Sequence, residues 1–547
     1  MSQSTVEVAP TLSVVVPVFN QAASIVDNLE VIRERVSERL GDSFEIVVVS
    51  DGSIDETEDA LLEHRGTGGF RVFHYDRNLG KGYAVKLGAL EAAGQWIGFV
   101  DADLDLDPAD LATYVKHAQE RGLDFAIGSK RHPESHVHYP SSRVAASWLF
   151  QQLVRLLFQL DVRDTQVGLK VFRREIAEQV LPLLLVKRYA FDIELLVVAR
   201  AFGFDKVEEM PITLDYRFTG SGVRSRAVIR ALVDTAAIFY RLRILRYYQR
   251  RRAIAGPYGW TRPRDYQPLV TVLVSAGARF RRGDYGEVEV IDISDWSVPA
   301  LRAAAARARG DVVAVLEPGG LAAGNWLAST VPFLARPELT AVVSPKVAPM
   351  EGTVLERAAS AIDESRIGAG FGYFRFTPGN VRYVDDFPTA SFVVRRNALL
   401  GLPDALRSDD VVSTLVAAEG RVLYSPESVI VVTPPPLFAP HSRAVFSHGR
   451  SRGRAFRRGQ FTSWRVASLL FPAIFVAAFA LLAVRNGNEL PDLVFASLAG
   501  YACVVILASL AAALRFQSVI VGAATASGII VTHCSYLAGL ARGVAVG

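Results

Sequence analysis

Apolar runs of strand length alternate with amphipathic stretches of helical period through the first 130 residues. Leu12–Val18 is β-branched and apolar almost throughout, the pattern of a strand buried on both faces, and it closes on Pro17-Val18-Phe19-Asn20. Ser24, followed three residues later by Asp27, opens a helix reaching about Leu40. Residues 44–50 form a second strand ending in Ser50-Asp51-Gly52-Ser53, and Asp55 with Glu58 caps the next helix. Residues 70–74 are a third strand, after which Asn78-Leu79-Gly80-Lys81-Gly82 leads into a helix through Ala93. Residues 96–100 are a fourth strand that runs straight into alternating carboxylates, Asp101, Asp103, Asp105 and Asp107. Asp107-Pro108 supplies a cap and a first-turn proline for a further helix, and Phe125–Gly128 is a fifth strand. Such alternation predicts a layered α/β sheet whose ligand site lies beyond the carboxyl ends of the strands.

After a basic stretch at 251–267 containing Gly, Pro and Tyr, read as a linker, the pattern restarts. Residues 269–276 parallel the first strand, and 287–293 run into Ser294-Asp295-Trp296-Ser297, echoing the second. A helix at 298–308, then Gly310-Asp311 and the strand Val312–Leu316, echo the stretch that ends in the carboxylates. Such an internal repeat predicts a second domain of the same kind over 268–460. Three mostly apolar segments follow, at 467–484, 493–514 and 518–540, each near the ~20 residues that span a bilayer. The expected organisation is a first domain at 1–250, the linker, the second domain, and a transmembrane region at 461–547.

Composition agrees with a chain that is part globular and part membrane-associated: 547 residues, 50% hydrophobic and 21% charged, too long for one core. The formal net charge of +4 matters less than where the arginines lie. They cluster at 241–252 and 450–458, beside apolar helical segments, which points to an anionic lipid surface and away from nucleic acid. The arginines before the first span, and Arg515 between the second and third, place the soluble domains on the cytoplasmic side of a multi-pass cell-membrane protein. Stretches 144–160 and 227–248 mix large apolar residues with arginine at helical spacing, as helices lying in a membrane interface do, although a core helix fits the first equally well. The two cysteines, Cys503 and Cys534, lie in apolar stretches and give neither a disulfide framework nor a metal site. Met1–Pro10 carries no signal-peptide pattern.

Four loops converge at the strand ends: Val18-Phe19-Asn20, Asp51-Gly52-Ser53, Asn78–Gly82 and Asp101–Asp103. Asp101 and Asp103, one residue apart after a buried strand, present hard oxygens of the kind Mg²⁺ or Mn²⁺ shares with substrate phosphates. Asp51 is placed to bond a nucleobase or ribose, and Lys81 to neutralise phosphate or remain in solvent. No P-loop and no dinucleotide fingerprint follows the first strand. His132, His136 and His138 match no zinc spacing and are read as a surface loop.

Taken together, Val-Val-Val-Pro-Val-Phe-Asn, Ser-Asp-Gly-Ser, Asn-Leu-Gly-Lys-Gly-Tyr-Ala-Val and Val-Asp-Ala-Asp-Leu resemble the inverting glycosyltransferases of family 2. Asp164-Thr165-Gln166-Val167-Gly168-Leu169-Lys170 and Phe191-Asp192-Ile193-Glu194 resemble further signatures of the polyprenyl-phosphate sugar synthases, closest to dolichyl-phosphate β-glucosyltransferase. The resemblance covers about residues 10–250. It implies a GT-A fold, a UDP- or GDP-hexose donor, a polyprenyl phosphate acceptor and Mg²⁺ or Mn²⁺. Position by position, it implies Pro17, Phe19, Asn20, Asp51, Lys81 and Arg224 at the donor, with Asp101 at the ribose and Asp103 on the metal. It further implies Asp164 and Gln166 beside the transferred sugar, and Ser129, Lys130, Arg131 and Arg143 at the acceptor phosphate. The family often carries two acids before the glycine where this chain has Ser50-Asp51. Nothing in the sequence sets an oligomeric state.

In the second copy, Glu317-Pro318-Gly319-Gly320 stands where Asp-Ala-Asp would be, and the Asn-Leu-Gly-Lys-Gly loop has no counterpart. Residues 392–396 and Ser408-Asp409-Asp410 resemble later family elements, and in other members that acidic pair supplies a base. Asp295, Glu317, Asp409 and Asp410 are therefore the candidates of a second site. A degenerate domain, with the acidic pair capping the next helix, is the competing expectation.

Overall fold

The computed structural model describes residues 9–459 and 490–546, except 66–67, 76–77, 138–140, 189, 215–224, 256–258, 264, 276, 281–282, 284, 350, 388, 390, 405 and 407–409. The 467–484 span lies outside these residues. The chain forms two compact units, Met1–Arg262 and Pro263–Gly547. The boundary falls inside the stretch expected to be a linker. Part of that stretch is helix, Tyr247–Ile254, and Arg262 is bound to the first unit through Glu91 at 2.6 Å.

In the first unit, β1 (Leu12–Val18), β2 (Phe44–Asp51), β3 (Phe70–Tyr75), β4 (Trp96–Phe99) and β5 (Phe125–Gly128) stand where the apolar runs predicted them. Two short strands, β6 (His136–Val137) and β9 (Thr213–Leu214), pair outside the main sheet. The main sheet takes two further strands, β7 (Lys170–Arg173) and β8 (Val207–Met210), in the order β3-β2-β1-β4-β7-β5-β8. All pairings are parallel except those of β7, which runs antiparallel between β4 and β5. Because β7 is inverted, its beginning lies at the carboxyl ends of its neighbours. The segment 164–169 before it therefore joins the strand-end loops.

Local caps are partly as expected. Asp107 accepts the backbone N–H of Ala109 at 3.0 Å at the start of the Ala109–Arg121 helix. The helix Ile25–Leu40 begins after Ser24, but the serine side chain makes no cap bond. Asp55 accepts from the N–H and hydroxyl of Thr57, the first residue of the Thr57–Glu63 helix, and from the N–H of Ala22 at 3.2 Å. It thus tethers the loop after β1 to the loop after β2. Apolar side chains stand exposed on two helices, Trp148, Leu149 and Leu156 on Ser141–Phe158, and Ile229, Leu232 and Val233 on Ser225–Phe239.

The second unit contains β10 (Val270–Ser275), β11 (Val288–Ile293), β12 (Val312–Leu316), β13 (Leu321–Ala322), β14 (Leu339–Val343), β15 (Lys346–Val347), β16 (Arg382–Val384), β17 (Phe392–Arg395), β18 (Arg421–Tyr424) and β19 (Ile430–Val431). Its main sheet runs β11-β10-β12-β17-β14-β18-β16. Six of these strands, β11 to β18 in that order, repeat the order and directions of β2-β1-β4-β7-β5-β8 in the first unit. Side chains repeat as well. Ser13 donates to Glu45 at 2.6 Å and accepts from Gly94 N–H at 2.7 Å; Thr271 donates to Glu289 at 2.6 Å and accepts from Gly310 N–H at 3.0 Å.

Two helices of the second unit, Leu490–Phe516 and Val519–Ala545, are long and apolar enough to cross a membrane, and they overlap two of the expected spans. Ala439–Arg457 packs on the latter, backbone against backbone. A Cβ on Gly449 or Gly453 would fall 2.3 Å from the carbonyl oxygens of Tyr536 and Leu540, and one on Gly539 or Gly543 would strike Phe446 and Arg450. Only hydrogen fits at these four positions.

Candidate active site at the strand ends

The loops after β1, β2, β3, β4 and β5 share one edge of the first sheet with the 164–169 segment. Asp51, the last residue of β2, is buried. Its Oδ1 accepts from the Tyr75 hydroxyl at 2.8 Å and Leu79 N–H at 2.7 Å, and its Oδ2 from Gly80 N–H at 2.9 Å. Burial pushes its pKa up, against the opposing pull of these bonds. The carboxylate thus clamps the Asn78–Gly82 loop, a task the sequence did not reveal. That loop starts the Lys81–Glu91 helix and delivers Lys81.

Lys81 Nζ lies 2.5 Å from Asp101 Oδ1. Burial disfavours its charge, but Asp101, Asp192 and Asp103 outweigh this and push its pKa up. Asp103 is exposed. Its pKa is raised, first by desolvation and then by the negative charge of Asp101. The turn between these acids is held by Asn28, whose amide donates to the carbonyl of Ala102 at 2.8 Å, and by Leu104 at φ 59°. Gly168 presses on the pair: a Cβ there would lie 2.2 Å from Asp101 Oδ2 and 3.2 Å from Lys81 Nζ.

Two carboxylates sharing one ammonium leave an excess negative charge on hard oxygens. That donor set fits Mg²⁺ or Mn²⁺ completed by phosphate oxygens and water. Among the described residues no cluster of three His, Cys, Asp or Glu suited to a metal occurs.

Asp164 is buried and directed at its own loop, accepting from Gln166 N–H at 3.1 Å and Lys130 N–H at 3.3 Å. Gln166 is exposed. Ser129 is fully buried, its Oγ accepting from Arg131 N–H at 3.2 Å; Lys130 and Arg131 are half-buried. Asn20 sits at φ 52° with its side-chain oxygen on Ile54 N–H at 2.9 Å, while Phe19 is exposed and Pro17 half-buried. Arg224 and His138 lie outside the described residues, as does the side chain of Arg143.

The third signature turns out to be internal. Asp192 pairs at 2.7 Å with Lys170, whose side chain is fully buried. Glu194, also fully buried, accepts from Leu185 and Val186 N–H at 2.9 and 2.7 Å, and binds Arg241 at 3.0 Å and the Tyr248 hydroxyl. It ties the basic helical stretch 240–254 to the Phe191–Ala201 helix and the 185–186 segment. These roles had no signal in spacing, since an acid on a helix reads as solvated until its partner is seen.

In the second unit, Glu317 follows β12, and Lys346 lies 2.8 Å from its Oε1 and 2.9 Å from its Oε2. Asp410 precedes the Val411–Ala417 helix without capping it, and instead accepts from the Ser451 hydroxyl at 2.8 Å. Asp295 is exposed and accepts from Ser297. Asp409 lies outside the described residues.

Comparison with known proteins gives this edge a family. The model of "Glycosyl transferase family 2" matches residues 13–181, from β1 through the segment before β7 and beyond. Glycosyltransferase AglD of Haloferax volcanii is 33% identical over 204 residues, covering 37% of this chain and 32% of that protein. Dolichyl-phosphate beta-glucosyltransferase of Drosophila melanogaster is 35% identical over 202 residues, 34% of this chain and 62% of the relative. The chain thus spans less than two thirds of either. A dolichyl-phosphate beta-glucosyltransferase of Trichomonas vaginalis is 30% identical over 246 residues, 43% of this chain and 75% of its own length. By this extended match and by the sheet that carries it, the chain belongs to the family 2 glycosyltransferases, with the GT-A fold in its first unit.

Proposed function

We propose that the first unit transfers a hexose, glucose or mannose, from a UDP- or GDP-sugar to a polyprenyl phosphate, with inversion. The observation that carries the reading is the Lys81–Asp101 pair at 2.5 Å beside exposed Asp103, at the strand edge shared by the family signatures. Asp101 and Asp103 would hold Mg²⁺ or Mn²⁺, which supplies charge neutralisation to the departing nucleoside diphosphate. Lys81 and Arg224 add cationic charge on the donor side, where Pro17, Phe19 and Asn20 line the nucleotide and Asp51 holds the loop that delivers Lys81. Gln166 faces the sugar from the loop that Asp164 holds in place, and Ser129, Lys130, Arg131 and Arg143 receive the acceptor phosphate. That acceptor is already an anionic nucleophile, so the reaction needs no strong general base.

The exposed apolar faces of Ser141–Phe158 and Ser225–Phe239, the nearby arginines and the two long apolar helices support work at the cytoplasmic face of a cell membrane. The second unit is a diverged GT-A-like copy. Its six strands in common order and its repeated Ser/Thr–Glu–Gly bonding support that reading.

The test is the full chain with polyprenyl phosphate, Mn²⁺ and a panel of UDP- and GDP-hexoses, read by mass spectrometry. A single lipid-linked hexose is the expected product; none with any donor refutes the proposal. Asp103→Ala should abolish metal-dependent turnover, and full activity in it rejects the metal assignment.

A further inference from the structure

The structure assigns the strand-end face of the second unit to a new use: it is sealed by the chain's own cations and serves as the socket that holds the C-terminal helices. This rests on reading that unit as a diverged copy. Strand register supplies the correspondence. Leu12 pairs with Trp96 as Val270 pairs with Val312, and Trp96 pairs with Arg173 as Val312 pairs with Arg395. Counting along each chain, Asp101 falls on Glu317, Asp103 on Gly319 and Asp164 on Asp386.

Each carboxylate that survives is occupied. Both oxygens of Glu317 are taken by Lys346, and the Ser391 hydroxyl adds a bond at 2.9 Å to Oε1. Where the first unit sets two acids against Lys81, the second sets one against Lys346. Around Glu317, among the described residues, no excess negative charge remains to draw a divalent cation. Asp386, 7% exposed, pairs at 2.7 Å with Arg452, which stands on Ala439–Arg457. The preceding residue of that helix, Ser451, binds Asp410.

The sealing helix is locked to Val519–Ala545 through the four glycines, and His441 and Thr532 lie 2.9 Å apart between the same two helices. Leu490–Phe516 has its own tether, Arg515 to Glu364 at 2.5 Å, with Glu364 4% exposed. Buried ion pairs of this kind fix register, because losing one partner strands a charge. The face that matches the first unit's strand-end edge is thus the place where apolar helices join the α/β core.

Two measurements on the full chain in detergent test this. Mn²⁺ binding followed by electron paramagnetic resonance in the Asp101→Asn/Asp103→Asn variant should show no bound ion; a stoichiometric Mn²⁺ there overturns the proposal. Arg452→Met should lower the unfolding midpoint by roughly 5 °C or more and expose the C-terminal helices to protease. Adding Asp386→Leu, which removes the stranded charge, should recover the midpoint, with the lipid product the same in kind throughout. An unchanged midpoint in Arg452→Met overturns the socket. So does a Glu317→Gln chain that unfolds normally yet loses a sugar from its product.

Discussion

Gly168→Ala separates the proposed metal-ligand role of Asp101 from the fold. A Cβ at 168 would sit 2.2 Å from Asp101 Oδ2, against about 3.4 Å where ordinary contact begins, so the carboxylate must retreat by about 1.2 Å. It cannot do so freely, since its other oxygen is held by Lys81 at 2.5 Å. Gly168 does not adopt a positive φ, so alanine meets no backbone strain. Replacing glycine at a compatible site stabilises by roughly 0.4–1 kcal/mol through the unfolded chain. Stability and function should therefore part company. The unfolding midpoint moves little, the unfolded-chain gain offsetting the cost of shifting a part-exposed side-chain end, while a ~1 Å misplacement of a group in the reacting geometry lowers turnover by about 10²-fold. Mn²⁺ titration and steady-state formation of lipid-linked sugar, run beside thermal unfolding, read all three quantities. Wild-type Mn²⁺ affinity and turnover in Gly168→Ala would refute the reasoning, and so would a loss of activity that merely tracks a loss of stability.

Asp192→Ala leaves the Lys170 ammonium fully buried without its carboxylate, and should cost about 3–5 kcal/mol in the first unit, seen as a lower unfolding midpoint and faster amide exchange in β7. Asp51→Asn keeps the volume but offers one carbonyl oxygen in place of two acceptors; amide exchange at Leu79 and Gly80 should quicken and the donor KM rise, with about 1–3 kcal/mol of local stability lost. The carboxyl of Asp363 is pushed up to about 7 by burial, which outweighs the opposing charges of Arg375 and Lys346, and Glu364 adds to the rise. The folded chain therefore holds this proton where the unfolded chain has released it. Stability from this group is present below about pH 4 and is lost as pH rises towards 7. Asp363→Asn should flatten that part of the midpoint-against-pH curve, and an unaltered slope between those limits would contradict the assignment.

The strands of the first unit were legible because buried parallel strands are continuous apolar runs. Five runs became β1 to β5 within a residue or two. β7 and β8 were not. Lys170-Val171-Phe172-Arg173 reads as charged at both ends, and only the Asp192 partner and the flanking strands explain a lysine with no exposed side chain. The converging loops were legible for a topological reason, since parallel strands bring their carboxyl ends to one edge. What each acid does there was not. Asp51, Asp192 and Glu194 all sit within family signatures, and all three spend their oxygens on the protein's own amides, hydroxyls or cations. Sequence spacing places an acid near a site. Only the count of donors around it separates a clamp from an open ligand.

That count also distinguishes the two units. Asp101 and Asp103 share Lys81, and Asp103 stays exposed with its pKa raised by its neighbour's charge, so the edge of the first sheet is short of positive charge. The divalent cation proposed there would relieve that shortage. At the matching edge of the second sheet, a glycine replaces one acid and Lys346 and Ser391 saturate the other. The matching edges thus differ by one acid, while each carries one ammonium, Lys81 in the first unit and Lys346 in the second. The order of six strands, which that difference does not touch, is shared by both units. Fold and chemistry are separable here because the sheet is held by apolar burial, whereas the edge is governed by a balance of two or three charges.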